Sequence, residues 1–162
     1  MQAIELPYKG DEISMLVLLP KETEGLKEIE NTLTAKSFNV LLPNMRTAKV
    51  DVYFPKLKIV WGTFSLNKVL IKLGMRDAFD REKADFSGIK VKKDIWIENI
   101  FHKAFIEVNE EGTEATAGTA VVIEKSIELP VVFCADHPFV FIIKDNRSGS
   151  ILFMGRVMNP TE

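Results

Sequence analysis

The sequence predicts an α+β fold built mostly from antiparallel strands, and three observations carry that reading. Apolar and polar residues alternate along several segments, as in half-buried strands. Three short stretches repeat apolar residues at helical spacing. Near the end, an apolar run from Phe139 to Ile143 and another from Ile151 to Met154 flank Asp145-Asn-Arg-Ser-Gly149, a hairpin signal.

The elements follow in order. Ala3 to Leu6 and Ile13 to Leu19 read as strands, with Gly10 and Asp11 supplying the turn between them. Pro20 ends the second. Leu26, Ile29 and Leu33 mark one helix. A second starts at Thr34, carries Phe38, Leu41 and Leu42, and stops at Pro43. Val50, Val52 and Phe54 share a strand face. Past Pro55 the apolar set moves to Leu57 and Ile59, which predicts one strand from Val50 to Ile59 with a bulge or bend at the proline. Ser65 is placed to cap a helix with the stripe Leu66, Val69, Leu70 and Leu73, and Gly74 stops it. Residues 77–88 are charged and irregular, as in a surface loop. In the next strand His102, Ala104, Ile106 and Val108 share one face, and Lys103, Phe105, Glu107 and Asn109 the other.

Composition bounds the function. The 162 residues suffice for one domain with a core, and 46% apolar with 27% charged residues argues against disorder. A net charge of −2 without a dense basic face makes nucleic acid an unsuitable partner. No apolar run is long enough to span a bilayer as a helix. Cys134 is the lone cysteine, read as a small buried hydrophobe, so no intrachain disulfide forms. His102 and His137 stand apart without a ligand cluster, so neither a metal site nor a nucleophile–base pair is expected. No signal peptide precedes the first strand, which predicts an intracellular protein or a missing N-terminal part.

One segment does not read as ordinary structure. Glu110, Glu111, Gly112, Thr113, Glu114, Ala115, Thr116, Ala117, Gly118 and Thr119 follow a strong strand. Every residue over 115–120 is small, and none is proline or charged. A flexible linker fits this composition, although linkers favour Gly and Ser. So does a segment that lives first as an exposed loop and later as a strand. Such a segment keeps a backbone N–H at every position and small side chains on its inward face. Its full insertion into a sheet adds on the order of ten backbone hydrogen bonds at ~1 kcal/mol net each.

These residues resemble the hinge of an inhibitory serpin. The segment Phe133-Cys-Ala-Asp-His-Pro-Phe-Val-Phe-Ile-Ile143 is similar to the family's signature after its reactive loop. Ile151-Leu-Phe-Met-Gly-Arg-Val-Met-Asn-Pro160 resembles its C-terminal ending. Phe54-Pro-Lys-Leu and Asp85-Phe-Ser-Gly fit it upstream. The resemblance covers essentially the whole chain, in the family's order. It implies the C-terminal part of the serpin fold, with strands from its three sheets and a few short helices. Residues 1–162 are then a partial serpin domain lacking the N-terminal helices and the first main-sheet strands. The strands containing residues 50–59 and 95–109 would belong to the main sheet.

The resemblance also implies an activity. A serpin is a serine protease inhibitor, not an enzyme, and needs no cofactor. The target protease cuts the reactive-centre loop, which inserts as a strand and traps the acyl-enzyme. Gly112 and Thr113 then start the hinge, and residues 115–119 are the insertable part. Lys56 matches the lysine that the family often pairs with an acid at the loop root, here Glu110. His102 matches the buried histidine where the main sheet opens. Phe139 matches a core residue behind the loop. Asn146-Arg-Ser148 is a glycosylation sequon on a turn.

Counting from the hinge puts the residue before the cut at Ser126, whereas counting back from Pro138 points to Ile127. Lys125 is the only nearby basic residue, and the Lys125–Ser126 bond suits a trypsin-like protease. A cut at Ile127 or Val122 suits an elastase-like one. The alternatives are a non-inhibitory serpin with a carrier, chaperone or storage role, and a cross-class inhibitor of cysteine proteases. The expected setting is extracellular, with an intracellular one as the alternative. The expected partners are the target protease and a complementary N-terminal serpin fragment, without which the loop has no sheet to enter.

Overall fold

The structure is a computed structural model that describes residues 1–92, 94–109 and 131–160. The predicted hinge, the residues at the scissile bond and Glu110 all lie outside the described residues. The chain divides into two compact units, Met1–Leu57 with Val108–Glu162, and Lys58–Glu107.

The first unit is organised by a four-stranded sheet. Its strands are β1 (Gln2–Pro7), β2 (Ile13–Leu19), β7 (Phe139–Asp145) and β8 (Ile151–Val157), in the order β1-β2-β7-β8. All three pairings are antiparallel, with Leu16 opposite Ile142 at the centre. The apolar run of β2 predicts a strand covered on both faces, and Ser14 to Leu19 are all buried. Between β1 and β2 the chain turns with Gly10 and Asp11 at positive φ, as their residue types predict.

Two helices, α1 (Leu26–Thr32) and α2 (Ala35–Leu41), cover one face of the sheet. Leu26, Ile29 and Phe38 pack with Leu16, Leu18, Val140 and Ile142. The second helix starts at Thr34 as expected, and Thr34 caps it, accepting from the Ser37 N–H while the Ser37 hydroxyl accepts from the Thr34 N–H. A 3₁₀ turn, Leu42–Asn44, follows at Pro43.

The expected single strand over 50–59 is two strands. β3 (Val50–Tyr53) pairs in parallel with β6 (Val131–Cys134), and β4 (Leu57–Ser65) pairs with β5 (Phe101–Val108) in a different sheet. The break falls at Pro55, which has no N–H for a ladder, so the chain changes sheets there instead of bulging. The Phe54 ring meets that of Phe139 at 5.3 Å between centroids.

The second unit holds most of β4 and β5, α3 (Asn67–Lys72) and the 3₁₀ turn Asp77–Phe79 within the expected surface loop. Ser65 does not cap α3: it ends β4, and Leu66 stands at the N-cap without a side-chain bond. Asn67 does the positioning instead. Its amide bonds the Glu98 carbonyl at 2.7 Å and the Ile100 N–H at 2.9 Å. The helix stops at Gly74, as predicted. The Gly74 N–H reaches the Ile71 carbonyl and the Met75 N–H the Leu70 carbonyl, with Gly74 at φ 106°. That paired closure requires a left-handed residue.

Gly155 lies opposite Phe141 across β7 and β8. A Cβ there would stand 2.7 Å from the Phe141 ring. Gly155→Ala therefore overpacks the sheet face, with an expected loss of about 1–3 kcal/mol in denaturant unfolding. Retention of full stability would show that Phe141 can shift freely.

Candidate functional site

The segment predicted to carry function leaves β5 at Val108 and ends where β6 begins at Val131. What the described residues define is the framework at its two flanks. On the upstream flank, β5 alternates as predicted: Ala104, Ile106 and Val108 are half-buried, and Lys103, Phe105 and Glu107 are exposed. His102 departs from its expected burial and is exposed. β4 and β5 form a two-stranded sheet among the described residues, so no described strand lies along the far edge of β5 to cover the imidazole. Lys56 lies between β3 and β4. The predicted pairing of Lys56 with Glu110 falls outside the described residues.

On the downstream flank, β6 leads into β7 through Ala135, Asp136, His137 and Pro138. Phe133 and Ala135 are buried, and Phe139 is fully buried, as expected of a core residue. Cys134 is exposed, contrary to its expected burial. Strand alternation explains this: Phe133 faces inward, so its neighbour faces out. The Ala135 N–H donates to the Tyr53 carbonyl at 2.9 Å and continues the β3–β6 ladder.

His137 joins this connection to the end of β2. Its Nδ1 lies 2.6 Å from Asp136 Oδ1, and its Nε2 lies 2.9 Å from the Pro20 carbonyl oxygen. Burial pushes its pKa down, but the bonds to Asp136 and Pro20 and the carboxylate's charge outweigh this and raise it above 6.5.

At the opposite end of the strands lies a polar cluster that the sequence did not announce. Lys144 is nearly buried, with its Nζ 2.7 Å from Glu5 Oε1 and 2.6 Å from Asn146 Oδ1. The fully buried Ser14 hydroxyl lies 2.7 Å from Glu5 and 2.8 Å from Asn146, with one proton to give to either. Asn146 Nδ2 donates to the Asp11 carbonyl at 2.8 Å, and its backbone N–H to the Glu12 carbonyl. The sequon asparagine thus ties the β7–β8 turn to the β1–β2 turn. The available signal was a lysine within an apolar strand and an acid in a neighbouring one, which the apolar pattern around them masked.

An open apolar groove of about 530 Å³ lies beside α1 and α2, lined by Met1, Leu18, Ile29, Leu33, Val40 and Leu41. None of the predicted site residues lines it. Among the described residues, no group of three or more His, Cys, Asp or Glu side chains could hold a metal ion, and no helix is long and apolar enough to cross a membrane.

The fold and its flanks fit one class of protein, and comparison with known families agrees: the family model "Serpin (serine protease inhibitor)" matches residues 1–160. The chain belongs to the serpin family. Among similar proteins, serpin B8 of Bos taurus is 45% identical over 162 residues, covering 98% of this chain and 43% of that protein. Human leukocyte elastase inhibitor is 45% identical over 166 residues, covering 98% of this chain and 44% of its own length. The solved structure of a tumour suppressing serpin superposes with a TM-score of 0.82 at 32% identity, covering 98% of this chain and 41% of that one. The chain thus spans about two fifths of the length of the curated relatives it matches.

Burial pushes the Glu5 carboxyl up, but the bonds from Lys144 and Ser14 and the lysine's charge outweigh it and hold the pKa below 4.5. This contribution is complete above pH 4.5 and is lost as pH falls through the lowered folded value. Lys144→Met should cost about 1–3 kcal/mol at neutral pH, because it strands a half-buried carboxylate. In that variant burial acts on Glu5 without the lysine to oppose it, so the acid-induced loss of stability should be smaller and the two chains should converge as pH falls. Denaturant midpoints across an acid series would show it, and identical acid profiles would discount the pair.

Proposed function

We propose that this chain carries the reactive-loop half of a serine endopeptidase inhibitor that acts as a suicide substrate. The observation that supports this most is the run of small, uncharged, proline-free residues at 115–120 in a chain of the serpin family. In this reading residues 110–119 are the hinge, with Glu110 and Lys56 at the loop root. Cleavage falls at Lys125–Ser126. The inserted strand lies beside β5, where His102 marks the opening of the main sheet. The protease supplies the catalytic groups and the inhibitor supplies only the trap.

Trapping requires a complementary N-terminal serpin portion. The reading rests on the two-stranded β4–β5 sheet and on the many apolar side chains that β4 and β5 leave exposed, among them Trp61, Phe64 and Phe105. We further take Asn146 as a structural tie in preference to a glycan acceptor, since both ends of its amide are hydrogen-bonded. The relatives do not support the extracellular setting expected from the sequence. The intracellular alternative is the reading retained, and an exposed free thiol at Cys134 suits a reducing compartment.

Incubation with trypsin, followed by a denaturing gel and mass spectrometry, tests the proposal. The expected result is clean cleavage after Lys125 without a covalent complex for this chain alone. A complex that survives denaturation should appear once the complementary portion is present. A stable complex with this chain alone would overturn the need for a complement. A cut elsewhere in the loop would overturn the assigned bond. Absence of any complex with the complement present would overturn the inhibitory mechanism.

A further inference from the structure

His137 is the one imidazole in the first unit, and both of its ring nitrogens face oxygen acceptors, 2.6 Å from Asp136 Oδ1 and 2.9 Å from the Pro20 carbonyl. A neutral imidazole carries a single N–H and can satisfy only one of them, leaving a lone pair against the other oxygen. An imidazolium donates to both. The two acceptors come from places 116 residues apart in the chain, the connection between β6 and β7 and the residue that ends β2. The ring is largely buried, at 17% side-chain exposure, so water does not readily replace a lost bond.

We propose that protonated His137 is a pH-dependent latch that fastens the β6–β7 connection to the end of β2. Among the described residues, Asp136 is the one charged group acting on the ring. It also accepts a hydrogen bond from the Cys134 thiol. From the β2 side the ring meets a backbone carbonyl, and Lys21 and Glu22 beyond it are exposed.

The two titrations bound the latch. The folded pKa of His137 is raised above 6.5, so its stabilisation is fully present below that value and is lost as pH rises through the folded pKa. Hydrogen bonding from His137 outweighs burial and holds the Asp136 carboxyl below 3.8, so its contribution is present above 3.8 and is lost as pH falls through the lowered value. The latch is therefore closed between the lowered Asp136 value and the raised His137 value, and opens as pH rises through the latter. Its position matters because β6 is the first described strand after the predicted loop. Opening would loosen that end.

The test is an NMR titration of the full chain carrying His102→Gln, in which His137 supplies the only imidazole signal. The expected midpoint lies above 6.5, and Asp136→Asn in the same background should move it down. A midpoint at or below 6.5, or one indifferent to Asp136→Asn, overturns the latch. Thermal unfolding gives a second readout. The melting temperature of the native chain should fall as pH rises through the midpoint, and His137→Gln should flatten that decline. An equal decline in both chains overturns the proposal.

Discussion

The pairing of β2 with β7 is the constraint on which the first unit depends. Both strands are apolar on both faces, so each face must find cover. Leu16, Leu18, Val140 and Ile142 meet α1 and α2 on one side. Met15, Val17, Leu19, Phe139 and Phe141 point to the other, where Phe54 reaches Phe139. Burying a Leu, Ile or Phe side chain contributes about 1.5–3 kcal/mol each. Once this pair forms, β1 and β8 have edges to join, the helices have a floor, and the connection from β6 has a fixed destination at Phe139.

The second unit shows the same kind of strand without the cover. Among the described residues of Lys58–Glu107, Ala84 is the only buried hydrophobic. Val60, Trp61 and Phe64 of β4 are about half exposed or more, as are Phe101 and Phe105 of β5. Exposed apolar patches of this extent are uncommon on monomeric proteins and mark interaction surfaces. What holds the unit together is local. Asn67 bridges to the strand approach at Glu98 and Ile100, Gly74 closes α3, and the Arg81 guanidinium lies 4.9 Å over the Trp96 ring. Such devices fix conformation, whereas the burial that stabilises a fold is largely absent.

Much of the fold was legible because strand and helix periods are local properties. The β1–β2 hairpin, the start of α2 at Thr34, the Gly74 stop, the alternation of β5 and the β7–β8 hairpin all follow from residues within a few positions of one another. The misreadings have a common origin in pairing partners. The shift of phase at Pro55 read as a bend within one strand, but which sheet each half joins depends on β6 and β5, far away in sequence. Ser65 resembled a cap because its hydroxyl has the right chemistry, yet β4 runs to that residue and carries it out of position. Cys134 was assigned by residue type, and its exposure was decided by Phe133 turning inward. His102 was assigned by resemblance, and its burial depends on structure along the other edge of β5. The polar cluster was hidden because Lys144 gains its partners only when β1, β2 and the β7–β8 turn come together. The segment from 110 to 127 was read from its composition and its resemblance, and lies outside the described residues.

A loop that joins a sheet after being cut must move at one end while the structure beyond the cut stays where it is. In the proposed mechanism the upstream end continues β5 and is the part that inserts. The downstream end enters β6, which is short, pairs with β3 over four residues, and would be weakly held by its ladder alone. The chain then enters β7, which with β2 forms the most deeply buried strand pair among the described residues. Two polar closures guard that pair, His137 where β6 hands over to β7 and Lys144 with Glu5, Ser14 and Asn146 at the far end. Hydrogen bonds to charged groups are worth about 1.5–3 kcal/mol when sheltered, comparable with burying one large apolar side chain. Their directional geometry also resists sliding, which apolar contacts do not. The proposed mechanism thus divides physically: side chains small enough to slide on one side of the proposed cut, and oriented polar bonds that oppose sliding on the other.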